Sequence, residues 1–352
     1  MDYGLAPPIA ASLHAAVDRG DTGYHYPSAG LRAARAACGF WADRFRWDVS
    51  PERVFAAPDV VEGIRRAIVH LTTPGSPVVL HTPVYYPFFS MVERAGRTMV
   101  EVSCRPGPDG RYHLDIDAID RALAGGAGSV VLCNPWNPTG RSFTVEEIAE
   151  VAAVASKHSA RLIVDEVHAP LTRSDVDHTV AATVAPDTVV TVTSASKAWN
   201  LPGLKCAQVV LTNDDDVAVW SDYYTPEKVG VGTFGLIANA AAYTEGRAWL
   251  DDVLRRLDAN QEVLEELLDG HLPDLVYSPP QATYLAWLDF RAYGLDDPAA
   301  HLLERARVAL TEGDPFGRDA SGYARLNFAT SPEILVEIVE RIAATLGSPG
   351  NR

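Results

Sequence analysis

The sequence predicts an α/β fold: a mostly parallel β-sheet covered by helices on both faces, followed by a smaller α+β unit at the C-terminal end. Three observations carry this expectation. The chain has 352 residues, more than one typical domain. Its middle alternates short, almost continuously apolar segments with amphipathic helical stretches, the pattern of strands buried on both faces. From residue 235 the pattern changes to one long helical run and then to an antiparallel-looking mixture of strands and helices.

In chain order, residues 1–40 are expected to form an N-terminal segment packed beside the smaller domain. Residues 41–240 form the large α/β domain, and 241–352 supply a connecting helix and the small α+β domain. Strands are expected at SPVVLHT (76–82), TMVEVSC (98–104), SVVLCN (129–134), RLIVDEV (161–167), TVVTVTS (188–194) and AQVVLTN (207–213). Between the third and fourth lies a helix, VEEIAEVAAVASKHS (145–159). It opens on Thr144 with Glu147 three residues on, the pattern in which each side chain caps the other's backbone amide. A single long helix is expected over 235–268. The C-terminal unit reads as TYLAWLDF (283–290), AAHLLERARVAL (299–310), YARLNFA (323–329) and a final helix PEILVEIVERIAATL (332–346).

Composition narrows the function. Hydrophobic residues make up 47% and mean hydropathy is −0.03, ordinary for a globular enzyme. A net charge of −16 argues against binding nucleic acid or an anionic membrane surface. The four cysteines, Cys38, Cys104, Cys133 and Cys206, are far apart and form no CxxC pair, which argues against zinc-ribbon and redox motifs and suits a reducing cytoplasm. No basic segment followed by an apolar one opens the chain, and no apolar run approaches the ~20 residues of a membrane span.

The chemistry gathers at the predicted C-terminal ends of strands, where an open α/β sheet forms its binding crevice. Asn134-Pro135-Trp136-Asn137-Pro138-Thr139-Gly140 follows one strand, Asp165-Glu166-Val167-His168 closes another, and Ser194-Ala195-Ser196-Lys197 closes a third. Only four residues are lysine, against 26 arginines, yet one lysine stands at the end of a core strand. An amine can lose its proton and form an imine; a guanidinium cannot. Each motif has a plain alternative: NPTG is a good turn, Asp165 could cap a helix, and a strand-end lysine is commonly solvated. On successive strands of one sheet, all those alternatives would have to hold together.

Pyridoxal phosphate requires an amine, a carboxylate for its ring nitrogen, donors for its phenolic oxygen, an aromatic plane, and hydroxyls with amides for its phosphate. The sequence offers Lys197, Asp165, Asn137 with His168, Tyr85, and Ser194 with Ser196. Arg325 in GYARLNFA (322–329) is a candidate grip for a substrate carboxylate.

With GY (23–24), APDVV (57–61), TPVYYPF (82–88), CNPWNPTGR (133–141), DEVH (165–168), SASKAWNLPGL (194–204), AYTEGRAWL (242–250), YLAWLDFR (284–291) and GYARLNFA in order along nearly the whole chain, the sequence resembles fold-type I pyridoxal-phosphate enzymes of aminotransferase class I/II. Within them it is similar to the cystathionine β-lyase-like Cβ–S lyase branch. The resemblance implies a seven-stranded sheet in the large domain, a cofactor joined to Lys197, and Asp165 against its ring nitrogen. It implies that Asn137 and His168 face the phenolic oxygen and Tyr85 the ring. Ser194, Ser196, Lys205 and the amides of Val60 and Val61 would hold the phosphate. Tyr24 would reach the phosphate of a neighbouring subunit, making the active unit a homodimer, and Arg325 would bind the substrate carboxylate. The implied reaction is β-elimination on a cysteine S-conjugate or cystathionine, giving thiol, pyruvate and ammonia. Transamination of an amino acid uses the same lysine and carboxylate, and a catalytically inactive scaffold is a third reading.

Two departures stand out. The branch usually has histidine where this chain has Trp136, which is thereby expected near the cofactor edge and the substrate. Met1-Asp2-Tyr3 aligns some thirty residues into relatives, which implies either a late start or a more open pocket. GVGTFG (230–235) fits the dinucleotide fingerprint GxGxxG, but SDYYTPEKV before it makes a poor buried strand, so a loop entering a helix is expected. No metal site is expected from Asp165, Glu166 and His168, because alternation along a strand splits them between faces.

Overall fold

Six of the seven strands of the larger sheet fall on the predicted apolar runs: β2 (Val78–Thr82), β3 (Met99–Ser103), β4 (Ser129–Cys133), β5 (Arg161–Asp165), β6 (Val189–Thr193) and β7 (Ala207–Leu211). The seventh, β1 (Val54–Ala57), is too short and too near a helix to stand out in sequence. The computed structural model describes residues 1–24, 27–224 and 230–347. The strand order is β1-β7-β6-β5-β4-β2-β3. Strands β2 to β6 run parallel, and β7 is antiparallel to both its neighbours. Strands β2, β4, β6 and β7 are buried throughout and β5 from Leu162 on, as their apolar composition requires.

Twelve helices are described: α1 (Pro7–Asp18), α2 (Pro27–Phe45), α3 (Val60–Leu71), α4 (Pro87–Arg94), α5 (Ile116–Ala124), α6 (Val145–Lys157), α7 (Ala181–Val184), α8 (Asp214–Tyr223), α9 (Thr233–Tyr243), α10 (Arg247–His271), α11 (Pro298–Arg305) and α12 (Pro332–Leu346). α3 packs with α4 and α8, and α5 packs with α6, which in turn meets α7; both groups lie on the sheet. α3 sits so close that a Cβ on Gly63 would meet Val192 Cγ1 at 2.8 Å and Val209 Cγ2 at 3.2 Å, so the absence of a side chain sets the helix-to-sheet distance. Its buried Val60, Ile64 and Ile68 each contribute on the order of 1.5–3 kcal/mol. The reciprocal cap of α6 is present: Thr144 Oγ1 accepts from the Glu147 amide at 3.3 Å and Glu147 Oε2 from the Thr144 amide at 3.0 Å.

The smaller sheet, ordered β10-β11-β9-β8, is antiparallel throughout. Its strands are β8 (Val276–Tyr277), β9 (Leu285–Asp289), β10 (Thr311–Glu312) and β11 (Tyr323–Asn327). α12 spans the predicted range, whereas the run expected at 299–310 is helical only to Arg305 and then turns toward β10.

Two expectations are corrected. The helix predicted over 235–268 is two helices, α9 and α10, parted at Thr244–Gly246. The Trp199 indole Nε1 donates to the Gly246 carbonyl at 2.9 Å, and a Cβ on Gly246 would lie 2.7 Å from the Ala242 carbonyl oxygen, so the chain bends around a buried tryptophan. The N-terminal 40 residues do not pack mainly on the small domain. α2 runs on to Phe45, and α1 and α2 pack against α9. The reason is aromatic: Phe40 lies 5.4 Å from both Trp199 and Tyr243, and Trp41 lies 6.1 Å from Tyr243. Contact with the small domain runs through Asp2, whose amide donates to the Ala329 carbonyl at 2.8 Å, and Tyr3.

Candidate active site

Parallel register brings the predicted polar groups to one edge. Cys133 on β4 pairs with Asp165 on β5, and Asp165 with Val192 on β6, so the segments that follow these strands emerge side by side. Beside them, at the same edge, lies the start of α3. Asp59 caps that helix, accepting from the Glu62 amide at 2.8 Å, which leaves the amides of Val60 and Val61 without helical acceptors.

A cavity of about 410 Å³ lies there. Lys197, Asp165, Asn137, His168, Tyr85 and Ser196 line it, together with Val60, Val61 and Lys205. Nine of the thirteen residues singled out in sequence therefore converge on one place.

Asp165 is buried, and its Oδ1 accepts from the Val167 amide at 3.0 Å. Burial raises its pKa to about 7, against the pull of that amide and of Lys197. Burial likewise lowers the pKa of Lys197, with Asp165 opposing and Arg325 reinforcing the shift. His168 is buried and driven well below the usual histidine range, first by desolvation and then by Lys197 and Arg325, so its ring is neutral. Its Nδ1 is buried without a partner. Asn137 Oδ1 accepts from Arg325 Nη1 at 2.9 Å, which turns the amide so that Nδ2 is its free donor. Arg325, on β11, also reaches Thr311 Oγ1 at 3.4 Å and lies over the Phe316 ring at 4.9 Å. It is tied to the cavity through Asn137 and does not line it.

Lys205 adopts a left-handed backbone, φ 52°, and its ammonium lies 3.0 Å from Asp59 Oδ2. Tyr24, at 99% exposure, stands free of this chain's cavity.

Ser194 and Trp136, like Arg325 and Tyr24, are set back from the cavity. Ser194 does not line the cavity: its hydroxyl donates to the Cys206 carbonyl at 2.6 Å and accepts from the Ser196 amide at 2.9 Å, so it shapes the loop that presents Ser196 and Lys197. Trp136 is 0% exposed and also does not line the cavity. Its indole donates to the Pro83 carbonyl at 2.6 Å, with the ring stacked on Phe143 and edge-on to His81. The bulk that replaces histidine is spent on packing. Three contributors were missed in sequence. Asp59 could have been found from Asp-x-x-Glu at a helix start. Asn239, whose Oδ1 accepts from the Ala195 amide at 3.3 Å and from Gln208, stands out only as a polar residue inside the apolar run of α9. Arg94 lines the cavity with no sequence signal. Glu166 turns away from the cavity to accept from the Ala181 amide at 2.8 Å, as strand alternation requires.

The donor set fits pyridoxal phosphate: an amine, a buried carboxylate, an unpartnered buried imidazole nitrogen, a free amide donor, and a helix start beside a cation for a phosphate.

Comparison with known proteins agrees with this geometry. The family described as aminotransferase class I and II matches residues 8–342. Cystathionine beta-lyase of Corynebacterium glutamicum is 40% identical, with 98% of this chain and 91% of that protein covered. A crystal structure from Corynebacterium diphtheriae, described as a PLP-dependent beta-cystathionase, superposes with a TM-score of 0.91 at 37% identity, covering 98% of this chain and 90% of that one. The PLP-bound C-S lyase of Staphylococcus hominis gives a TM-score of 0.91 at 25% identity over 98% and 91% of the two chains.

Proposed function

The chain belongs to the aminotransferase class I and II family, and on that premise we propose that it is a pyridoxal-phosphate-dependent carbon–sulfur lyase. Its substrate is a cysteine S-conjugate or cystathionine, split with one water into thiol, pyruvate and ammonia. The observation that carries the reading is the convergence of Lys197 and Asp165 in one cavity. That the 40%-identical relative is named a cystathionine beta-lyase favours elimination over transamination.

When bound, the cofactor supplies an aldehyde for an amine and an electron sink for the pair left at Cα. The rest falls to side chains. Lys197 Nζ, whose proton is loosened by burial, would take the Cα proton. Asp165 would hold the proton at the ring nitrogen. Asn137 through Nδ2 and neutral His168 would donate to the phenolic oxygen, and Tyr85 would lie on the ring face. Ser196, Lys205 and the Val60 and Val61 amides would hold the phosphate, with Ser194 fixing Ser196. Arg325 would bind the α-carboxylate as a bidentate partner.

We place the working unit as a homodimer in the cytoplasm. Tyr24 supports the dimer, being an almost fully exposed aromatic that fits the role of covering a neighbour's phosphate site. Four free, buried cysteines support a reducing compartment. No helix among the described residues is long and apolar enough to cross a membrane.

The test is direct. Wild type given cofactor should turn yellow and release pyruvate and thiol from cystathionine, and Lys197→Ala should lose the covalent link and at least about 10²-fold in kcat. A keto acid formed only when an amino acceptor is present would replace elimination with transamination. A protein that stays colourless would point to an inactive scaffold.

A further inference from the structure

A second cavity, of about 280 Å³, shares no lining residue with the first. It opens between the large domain, through residues 106–112 and 139–141, and the small domain, through 276–281, β9 and β11. Its walls are aromatic. Trp287 and Tyr323 stack in parallel, 5.1 Å apart with 6° between their planes, and Trp287 Nε1 lies 3.4 Å from the Tyr112 hydroxyl.

Charge gives the cavity its character. Three arginines line it, Arg111, Arg141 and Arg291, with a single acid, Asp289. Asp289 is consumed by Arg291, which grips both its oxygens at 2.9 and 2.6 Å. Arg111 is exposed. Arg141 gives Nη2 to Glu147, but its Nη1 is buried without a hydrogen-bond partner. With Arg291 paired to Asp289 and Arg141 to Glu147, the guanidinium of Arg111 and the buried Nη1 of Arg141 are left for one anionic group. Pro106, Pro108 and Pro279 add to the aromatic pair to make the walls largely apolar, and the volume admits one or two rings.

The cavity also touches the elements that carry the Asn137–Arg325 bond. Arg141 closes the same turn as Asn137: the Trp136 amide donates to the Arg141 carbonyl at 2.7 Å and the Gly140 amide to the Trp136 carbonyl at 2.6 Å. Tyr323 lies two residues before Arg325 on β11, and Trp287 is the cross-strand partner of Arg325 on β9.

We propose that this cavity binds a planar aromatic monoanion, and that its occupancy changes the affinity of the first cavity for an amino acid through the Asn137–Arg325 contact. The binding goes beyond the lyase reading and does not depend on which reaction is catalysed. Calorimetry on the cofactor-loaded protein should show saturable binding of indole-3-carboxylate. Indole-3-carboxamide should bind on the order of tenfold more weakly. Arg111→Glu, at an exposed side chain outside the first cavity, should weaken the carboxylate by a similar factor and leave the carboxamide unchanged. With indole-3-carboxylate saturating, the affinity for L-serine, read from the cofactor's absorption, should shift by about threefold or more. No saturable binding at millimolar probe, or simple competition between probe and serine, overturns the site. Binding with an unchanged serine affinity overturns the coupling.

Discussion

Asp165 is placed where its charge is unwelcome until something cationic arrives. An ordinary aspartate carboxyl loses its proton near 3.8, but this one holds it to about 7 in the fold. Between those values the folded chain binds the extra proton, so stability falls as pH rises through this window and levels off above it. In the apoprotein, Asp165→Asn removes that loss and should raise stability at about pH 8 by on the order of 2–4 kcal/mol, with no gain below pH 4, while abolishing activity. Thermal melts of the two apoproteins across pH check this; equal melting at pH 8 would mean the carboxyl is not destabilised by burial. Trp136 gives the opposite case, a side chain held in place by packing. Trp136→His should cost about 3 kcal/mol in denaturant unfolding and leave relative kcat/KM among substrates unchanged. An altered substrate order at full stability would restore its expected place near the substrate. Lys197 and Asp165 were legible because their chemistry is scarce at strand ends. Ser194 and Trp136 were not: the hydroxyl of Ser194 answers to Cys206, twelve residues on, and the indole of Trp136 to Pro83, so tertiary contacts decide where each points.

At the scale of elements, long apolar periodicity was read correctly and short or bent pieces were not. β4, β5 and β6 pair with parallel neighbours along three to five residues and are buried almost throughout, so composition alone locates them. β8 and β10 have two residues each and exist only through strands that lie elsewhere in the chain. The break between α9 and α10 was hidden because the apolar pattern continues across it, and Trp199, forty-seven residues earlier, imposes the bend. Gly246 is thus a site where helix propensity and packing disagree. Gly246→Ala adds a better helix former but sets a methyl against the Ala242 carbonyl and the Trp199 indole, and packing should win by about 1–3 kcal/mol of lost stability. Chemical denaturation decides the sign; a stabilised variant would show that the bend relaxes freely.

For the molecule as a whole, the dimer is the claim most open to test. Tyr24 makes so little contact with its own chain that Tyr24→Ala should leave the melting temperature of the apoprotein unchanged. If the residue serves a neighbour, the same change should weaken cofactor binding by on the order of tenfold. Sedimentation of an active monomer would refute the shared site. Among the groups of that site, the ammonium of Lys205 already rests on Asp59, the residue that caps α3. A phosphate settling there exchanges one anionic companion for another and does not quench a bare cation. If the phosphate is held there as proposed, stripping the vitamin derivative away would leave Lys205 on Asp59 and the cap of the helix in place.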